Sequence, residues 1–346
     1  MKRILALLLA LLLTLSLPAC GEKEDERKTD KEANQVIQEE TLKDDPATDD
    51  LIGNEETDDP EVEGTSTPLL YKVTDSEGHV AWLFGSIHVG REDFYPLPDY
   101  VVNALSRSHS LAVEFDIVAF EKDLKAQMAA LQALIYTDGT KISDHIPPEL
   151  YEEAVAIMED AGIYNAMLDY YVPALWSSFI DSAQYGEIGA DTELGIDLHL
   201  LNEAKQVGMP ILDVESAEFQ YGMMANFSEE LQIFLLRQSI ESAKDPETAK
   251  ETLAAMMDIW ASGDEEAFRE YLTEEEELAD DEVALYEEYY KAMATDRNEG
   301  MAEFVAEALE SGEEVFVCVG AAHVIGPEGL LELLPMWGYT VERVAE

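Results

Sequence analysis

The sequence predicts an α/β fold, and three observations predict it. Near opposite ends of the chain, VAWLFGSIHVG (residues 80–90) and VFVCVGAAHVIG (315–326) are short apolar runs that break at Gly-x-x-His and a small-residue turn. Two further apolar runs, 110–116 and 209–216, each close on a carboxylate. Long stretches between them carry apolar residues at helical spacing. Short apolar runs ended by Gly or by turn residues read as buried strands entering tight loops. In an open α/β sheet, the edge where such strands end is where ligands bind.

In order, the chain opens with Lys2 and Arg3 before an apolar run over residues 4–17. That run is short for a bilayer span, and its basic front fits a secretory signal. The Leu-Pro-Ala-Cys ending at 17–20 resembles the bacterial lipobox. The resemblance implies that Cys20 becomes the first mature residue and carries lipid, which would anchor the protein to the membrane on the extracytoplasmic face of a bacterium. Residues 21–67 hold 18 acidic and 5 basic residues and no aromatic ones. Such a stretch buries too little apolar surface to offset its ordering entropy, so it is expected to be a disordered, self-repelling linker.

Residues 68–346 carry −43 of the formal net charge of −54. A surface so acidic repels phosphate backbones and excludes nucleic acid as a partner. It attracts divalent cations and basic peptides, and it equally suits salty or alkaline surroundings. The two cysteines, Cys20 and Cys318, belong to no CxxC pattern, and Cys318 lies within a predicted buried strand, so no disulfide is expected.

Residues 68–75 and 79–84 read as a hairpin turning at Ser76-Glu77-Gly78, and its second strand runs into Gly85-Ser86-Ile87-His88. A helix is expected over 95–105, entered through Pro96 and Pro98. The 110–116 strand places Glu114 and Asp116 at its end and on one face. Helical spacing follows over 118–135, 147–161 and 164–187, with Pro173 dividing the last, and again over 195–205. In that last helix Asp197 either accepts first-turn amides or faces the site, and a structural role is expected for His199. The 209–216 strand ends with Glu215. Residues 217–312 are almost all helical, with Glu274–Glu277 a helix start. Arg297, one of few cations here, precedes Asn298, which is placed to cap the helix to Ser311. A strand from Val315 then leads to His323, Pro327 starts a helix, and 339–344 supplies a last strand.

His88, Glu114, Glu215 and His323 thus gather at one sheet edge. Two imidazoles and one or two carboxylates suit a divalent transition metal such as zinc, manganese or cobalt. Glu114 outside the ligand shell would serve as general base. Arg297 would steady a developing oxyanion or orient a carboxylate. No HExxH or GxSxG motif is present.

The blocks GSIHVG, AVEFD, GIDLHLLNEAK with ILDVESAEFQ, and DRNEGMAEFV before VFVCVGAAHVIGPEGLLELLPMWGYTV resemble, in sequence and order, the TraB/GumN (PrgY-like) family, which is related to the Tiki metalloproteases. The resemblance runs from about Pro68 to the end. Ser86 and Ala322 stand where family members often have Thr and Gly. It implies a mixed, largely parallel central sheet with a large helical insertion at about 118–312, similar to Tiki and erythromycin esterase proteins. It also implies a metal site built from His88, His323 and Glu114, with Arg297 nearby, and an extracellular peptide or protein as substrate. A peptide-sequestering protein without catalysis and a metal-free His/Glu hydrolase are the other readings.

Overall fold

The computed structural model describes residues 66–188, 191–274 and 278–344. The leader, Cys20, the linker up to residue 65 and Glu275–Glu277 lie outside the described residues. The folded part already includes the last two residues assigned to the linker. Ser66 is buried and donates to the Phe94 carbonyl, and the Thr67 amide donates to that of Ala261.

Six strands build one sheet: β1 (Leu70–Thr74), β2 (Val80–Ser86), β3 (Ser110–Val113), β4 (Ile211–Asp213), β5 (Val315–Gly320) and β6 (Thr340–Arg343). Their order is β4-β3-β5-β2-β1-β6. The ladders β2–β5, β5–β3 and β3–β4 are parallel, and β1 is antiparallel to both its neighbours, β2 and β6. The expected mixed, largely parallel sheet is therefore present. All six residues of β5 are buried, as befits a parallel strand covered on both faces. Phe84 of β2 meets Phe316 of β5 at 5.7 Å and, edge-on, Trp260 of the helix Pro246–Ser262 at 6.4 Å. The indole of Trp260 donates to the Gly85 carbonyl, which ties that helix to the strand end. Strand β4 differs from its expectation: only three residues pair, at the sheet edge, and Leu212 is exposed.

The helical insertion is two pieces, because β4 returns to the sheet between them. The first piece is broken more often than its spacing suggests, into Ile117–Phe120, Leu124–Ala133, Pro148–Asp160 and Pro173–Ile188 before Ile196–Gln206. Pro173 starts a helix rather than dividing one, since its missing N–H is no loss in a first turn. Pro327 lies outside the last helix, which spans Leu330–Met336. The second piece ends in helices Asp280–Tyr290 and Asp296–Ser311, joined by a π-helical turn at Lys291–Thr295. Such a turn rotates the residues after it relative to those before. Here it directs Arg297 and Asn298 inward, both almost wholly buried.

The helical layer has its own apolar core, around Trp176, Leu134, Tyr221 and Leu236. Within it Asp181 is buried and accepts one hydrogen bond, from Ser239 Oγ at 3.0 Å. Burial pushes its carboxyl up to about 7. Between the ordinary value and 7 the unfolded chain loses this proton while the folded chain keeps it, so stability falls as pH rises through that window. Asp181→Asn removes the effect. The gain in urea midpoint of the variant over the parent is expected to be larger at pH 8 than at pH 4, and equal gains at both would refute it. Among the described residues, no helix is long and apolar enough to cross a membrane.

Candidate functional site

The strand order builds the site. β5 lies between β2 and β3, so the turn that follows it is flanked by the ends of both. His88 comes two residues after β2, Glu114 directly follows β3, Glu215 lies two residues beyond β4, and His323 sits in the short helix Ala321–Ile325 that follows β5. Parallel pairing brings all four to the same edge. Asp116, expected beside Glu114, is carried away from the site because β3 stops at Val113. It caps the helix Ile117–Phe120 and pairs with Lys205 at 2.5 Å.

The centre of the cluster is Arg297, whose side chain is inaccessible to solvent. Its Nη2 donates to Glu114 Oε2 at 2.6 Å and to Glu215 Oε2 at 2.8 Å, and its Nε donates to Glu215 Oε1 at 2.9 Å. Gln220, from the helix Ala217–Ala225, donates through Nε2 to both carboxylates, at 3.1 and 2.9 Å. The Gly320 amide donates to Glu114 Oε1 at 3.0 Å, and the Glu215 amide donates to the Glu114 carbonyl at 2.8 Å. Burial alone would raise the Glu114 carboxyl. The guanidinium overrides burial, with His323, His88 and the Gly320 amide adding to it, and the carboxyl is held far below the usual range. A Cβ on Gly320 would stand 3.3 Å from Glu114 Oε1 and 3.4 Å from the His323 ring. Strand end, carboxylate and imidazole are therefore closely packed there, and a Cβ would require Glu114 to shift by a few tenths of an ångström.

Each imidazole is held at Nδ1. His88 Nδ1 donates to Asp197 Oδ2 at 2.8 Å. Asp197 thus faces the site, the second of its two sequence readings. It gets there because Gly195 packs its backbone against the His88 carbonyl, where a Cβ would stand only 2.5 Å from that oxygen. His323 Nδ1 lies 2.7 Å from Asn298 Oδ1. Asn298 Nδ2 donates to the Glu328 carbonyl at 2.9 Å, so its oxygen faces the ring and the ring nitrogen is the donor. Asn298 is therefore not the helix cap that its position suggests; it lies inside Asp296–Ser311 and orients His323. In both rings Nε2 is the basic nitrogen. Burial, then the charge of Arg297, push His323 down to about 3 against the pull of Glu114, so it is neutral at ordinary pH. His199 packs against Tyr95, with ring centroids 4.3 Å apart, and reaches Glu203, as its structural reading expects.

Neutral imidazoles with Nδ1 tied to an acceptor are the form in which histidine binds a transition metal. The carboxylates are placed differently. Both oxygens of Glu215 are engaged by Arg297, and both of Glu114 accept hydrogen bonds. Among the described residues no three His, Cys, Asp or Glu side chains form a metal-holding group. His88 and His323 fit a metal, whereas Glu114 and Glu215 as placed fit Arg297. The guanidinium is also too deeply buried to meet a substrate, so Arg297 is a positioning residue. Gln220, which the sequence reading did not single out, completes the clamp.

Removing Arg297 leaves two buried carboxylates facing each other. Arg297→Met is expected to cost about 3–5 kcal/mol in urea unfolding. Arg297→Lys is expected to recover only part of that, because an ammonium cannot span both carboxylates as a fork. Full recovery by Lys would show that charge alone is what the site needs.

A family profile described as the TraB/PrgY/gumN family matches residues 69–343. Among curated proteins, the uncharacterized protein YbaP of Escherichia coli (strain K12) is 30% identical over 144 residues, 41% of this chain and 50% of that protein. YbaP of Shigella flexneri matches to the same extent. The chain thus aligns with about half the length of these relatives. No solved structure gives a significant match. The profile spans nearly all of the folded part, including both Gly-x-x-His turns and the carboxylates between them, and on that ground the chain belongs to the TraB/PrgY/gumN family.

Proposed function

We propose that this protein is a hydrolase of extracytoplasmic peptides or proteins, held on the membrane through lipidated Cys20, with His88 and His323 as its working groups. The observation that carries the reading is the matched tethering of the two imidazoles. Asp197 and Asn298 each take Nδ1, which makes Nε2 the basic nitrogen of each ring. Evenly tied rings at the ends of neighbouring parallel strands suit two ligands of one divalent ion, manganese, cobalt or zinc. Such an ion would polarise a carbonyl and acidify a bound water. In this reading Asp197 and Asn298 each fix the Nδ1 proton and the orientation of one imidazole. Arg297 and Gln220 hold Glu114 ionised behind them, keeping negative charge next to the rings.

A metal-free reading rests on a different observation. His88 with Asp197 has the arrangement of a general base and its orienting carboxylate, while Glu114 and Glu215 are engaged by Arg297. Chelation separates the two. On the metal reading, purified full-length protein loses peptide cleavage after dialysis against EDTA and regains it with manganese, cobalt or zinc. Turnover that survives chelation would establish the metal-free reading. On either reading His88→Ala and His323→Ala lower kcat/KM by about 100-fold or more. Peptide binding without any turnover by the parent protein would instead establish a sequestering protein.

Anchoring is tested apart from catalysis. Cys20→Ser is expected to move the protein from the membrane to the soluble fraction of cells that express it. An unchanged membrane fraction would remove the lipid anchor from the proposal.

A further inference from the structure

A small pocket opens beside His88. Its walls are Ile87, Val89, Met256, Phe268 and Leu272, with Ser86 and His88 also lining it, and the turn Gly320–Ala322 closes it. Ile87 and Val89 flank His88, and residues 320–322 lead directly into His323. The pocket and the two imidazoles are therefore carried by the same two Gly-x-x-His turns. Consecutive Cα atoms are about 3.8 Å apart, so a side chain seated in the pocket belongs to a residue at, or next to, the group facing the histidines.

The walls also define what fits. Apart from His88 the described residues that line it bring no ionisable side chain, although the domain around them is strongly acidic. Burying a charged side chain there without a partner is unfavourable. The free volume is about 30 Å³. A cavity that admits a benzene ring measures roughly 150 Å³, so this space suits the tip of a valine or isoleucine and not a phenyl ring. Met256 and Phe268 are almost fully buried and form fixed walls. Leu272, near the end of the helix Glu265–Thr273, is half-buried and controls how far the pocket extends.

We infer that this pocket is the specificity subsite of the protein, and that it selects a short branched aliphatic residue adjoining the scissile bond of a polypeptide substrate. The inference rests on the hydrolase reading for its chemistry and on the pocket walls for its selectivity. One methylene of mismatch in such a pocket changes kcat/KM by roughly 10–200-fold.

The test uses purified full-length protein and a peptide set that differs only at one position: Gly, Ala, Val, Ile, Phe or Asp. Products are read by mass spectrometry in the presence of manganese, cobalt or zinc. Peptides with Val or Ile beside the cut are expected to be favoured at least tenfold over those with Gly, Phe or Asp. Leu272→Ala is expected to shift the preference toward Phe, and Leu272→Trp toward Gly and Ala, with thermal melts confirming that both variants fold. Cleavage with no preference at that position, or with one that neither variant moves, would overturn the subsite and leave the hydrolase reading standing. If the parent protein cleaves none of the peptides, the hydrolase reading fails and the pocket is read by binding instead. Ligand-observed NMR with the same peptides then supports it by a preference for Val and Ile that Leu272→Trp abolishes, and overturns it by equal binding of all six.

Discussion

The carboxylates of the strand edge, and one of its two histidines, depend on one buried cation. Arg297 joins two carboxylates that leave the sheet from different strands, and it lies where water does not reach. Without it, Glu114 and Glu215 would repel each other at the ends of β3 and β4, and the β5 turn would lose the carboxylate that its Gly320 amide grips. Because the guanidinium donates along two edges, one side chain fixes the separation and the orientation of both partners. Gln220 braces the same two oxygens from another helix. A single ammonium could supply the charge but not this geometry.

From that clamp the order extends outward to the histidines. Asn298 directly follows Arg297 on one helix, so the backbone that positions the guanidinium also positions the amide holding His323. The π-helical turn at Lys291–Thr295 sets the phase of both. Glu328 adopts φ 56°, a conformation that side chains resist, and is kept there from two sides: its carbonyl accepts from Asn298 and its carboxylate from Thr295. On the other side of β5, the His88–Asp197 pair depends on backbone contact at Gly195. The two imidazoles are thus oriented by independent supports, one rooted in the clamp and one in a glycine contact. Both supports yield the same tautomer.

The strand ends were legible because burial on both faces writes itself as an unbroken apolar run, and Gly marks where the run must turn. His88, Glu114 and His323 follow from that alone. Glu215 was legible for a weaker reason, since β4 pairs over only three residues and half-exposed edge strands leave a poor apolar signal. The supports were less visible. Asp197 lies in a first helical turn, where acidic residues are common in any case, and only the approach of the Gly195 backbone decides which way it faces. Asn298 reads as a cap because Asn so often is one. The π-helical turn that puts it inside the helix has no period in the sequence. Gln220 gave no signal except that it follows Glu215 by five residues across a helix start. Fold class and candidate ligands are local patterns, while the hydrogen bonds that give them a protonation state join residues as much as 206 positions apart, as Gly320 and Glu114 are.

A buried cluster of two carboxylates and one guanidinium is a poor way to stabilise a protein. Desolvating three charges costs several kcal/mol for each, and well-packed apolar side chains of the same volume commonly do as well or better. The sheet beside it shows what this chain builds when only packing matters: β5 is apolar throughout and fully buried. The charged cluster stands instead at the edge where two imidazoles are each tied at Nδ1, and it leaves one carboxylate's charge in excess of the guanidinium's. That excess lies beside His88 and His323 on a face screened from bulk water, where it acts more strongly than any of the many acidic residues on the solvated surface. On the metal reading, the charge that a cation held by His88 and His323 would meet is therefore the small one held in place by Arg297, not the large one spread over the outside of the domain.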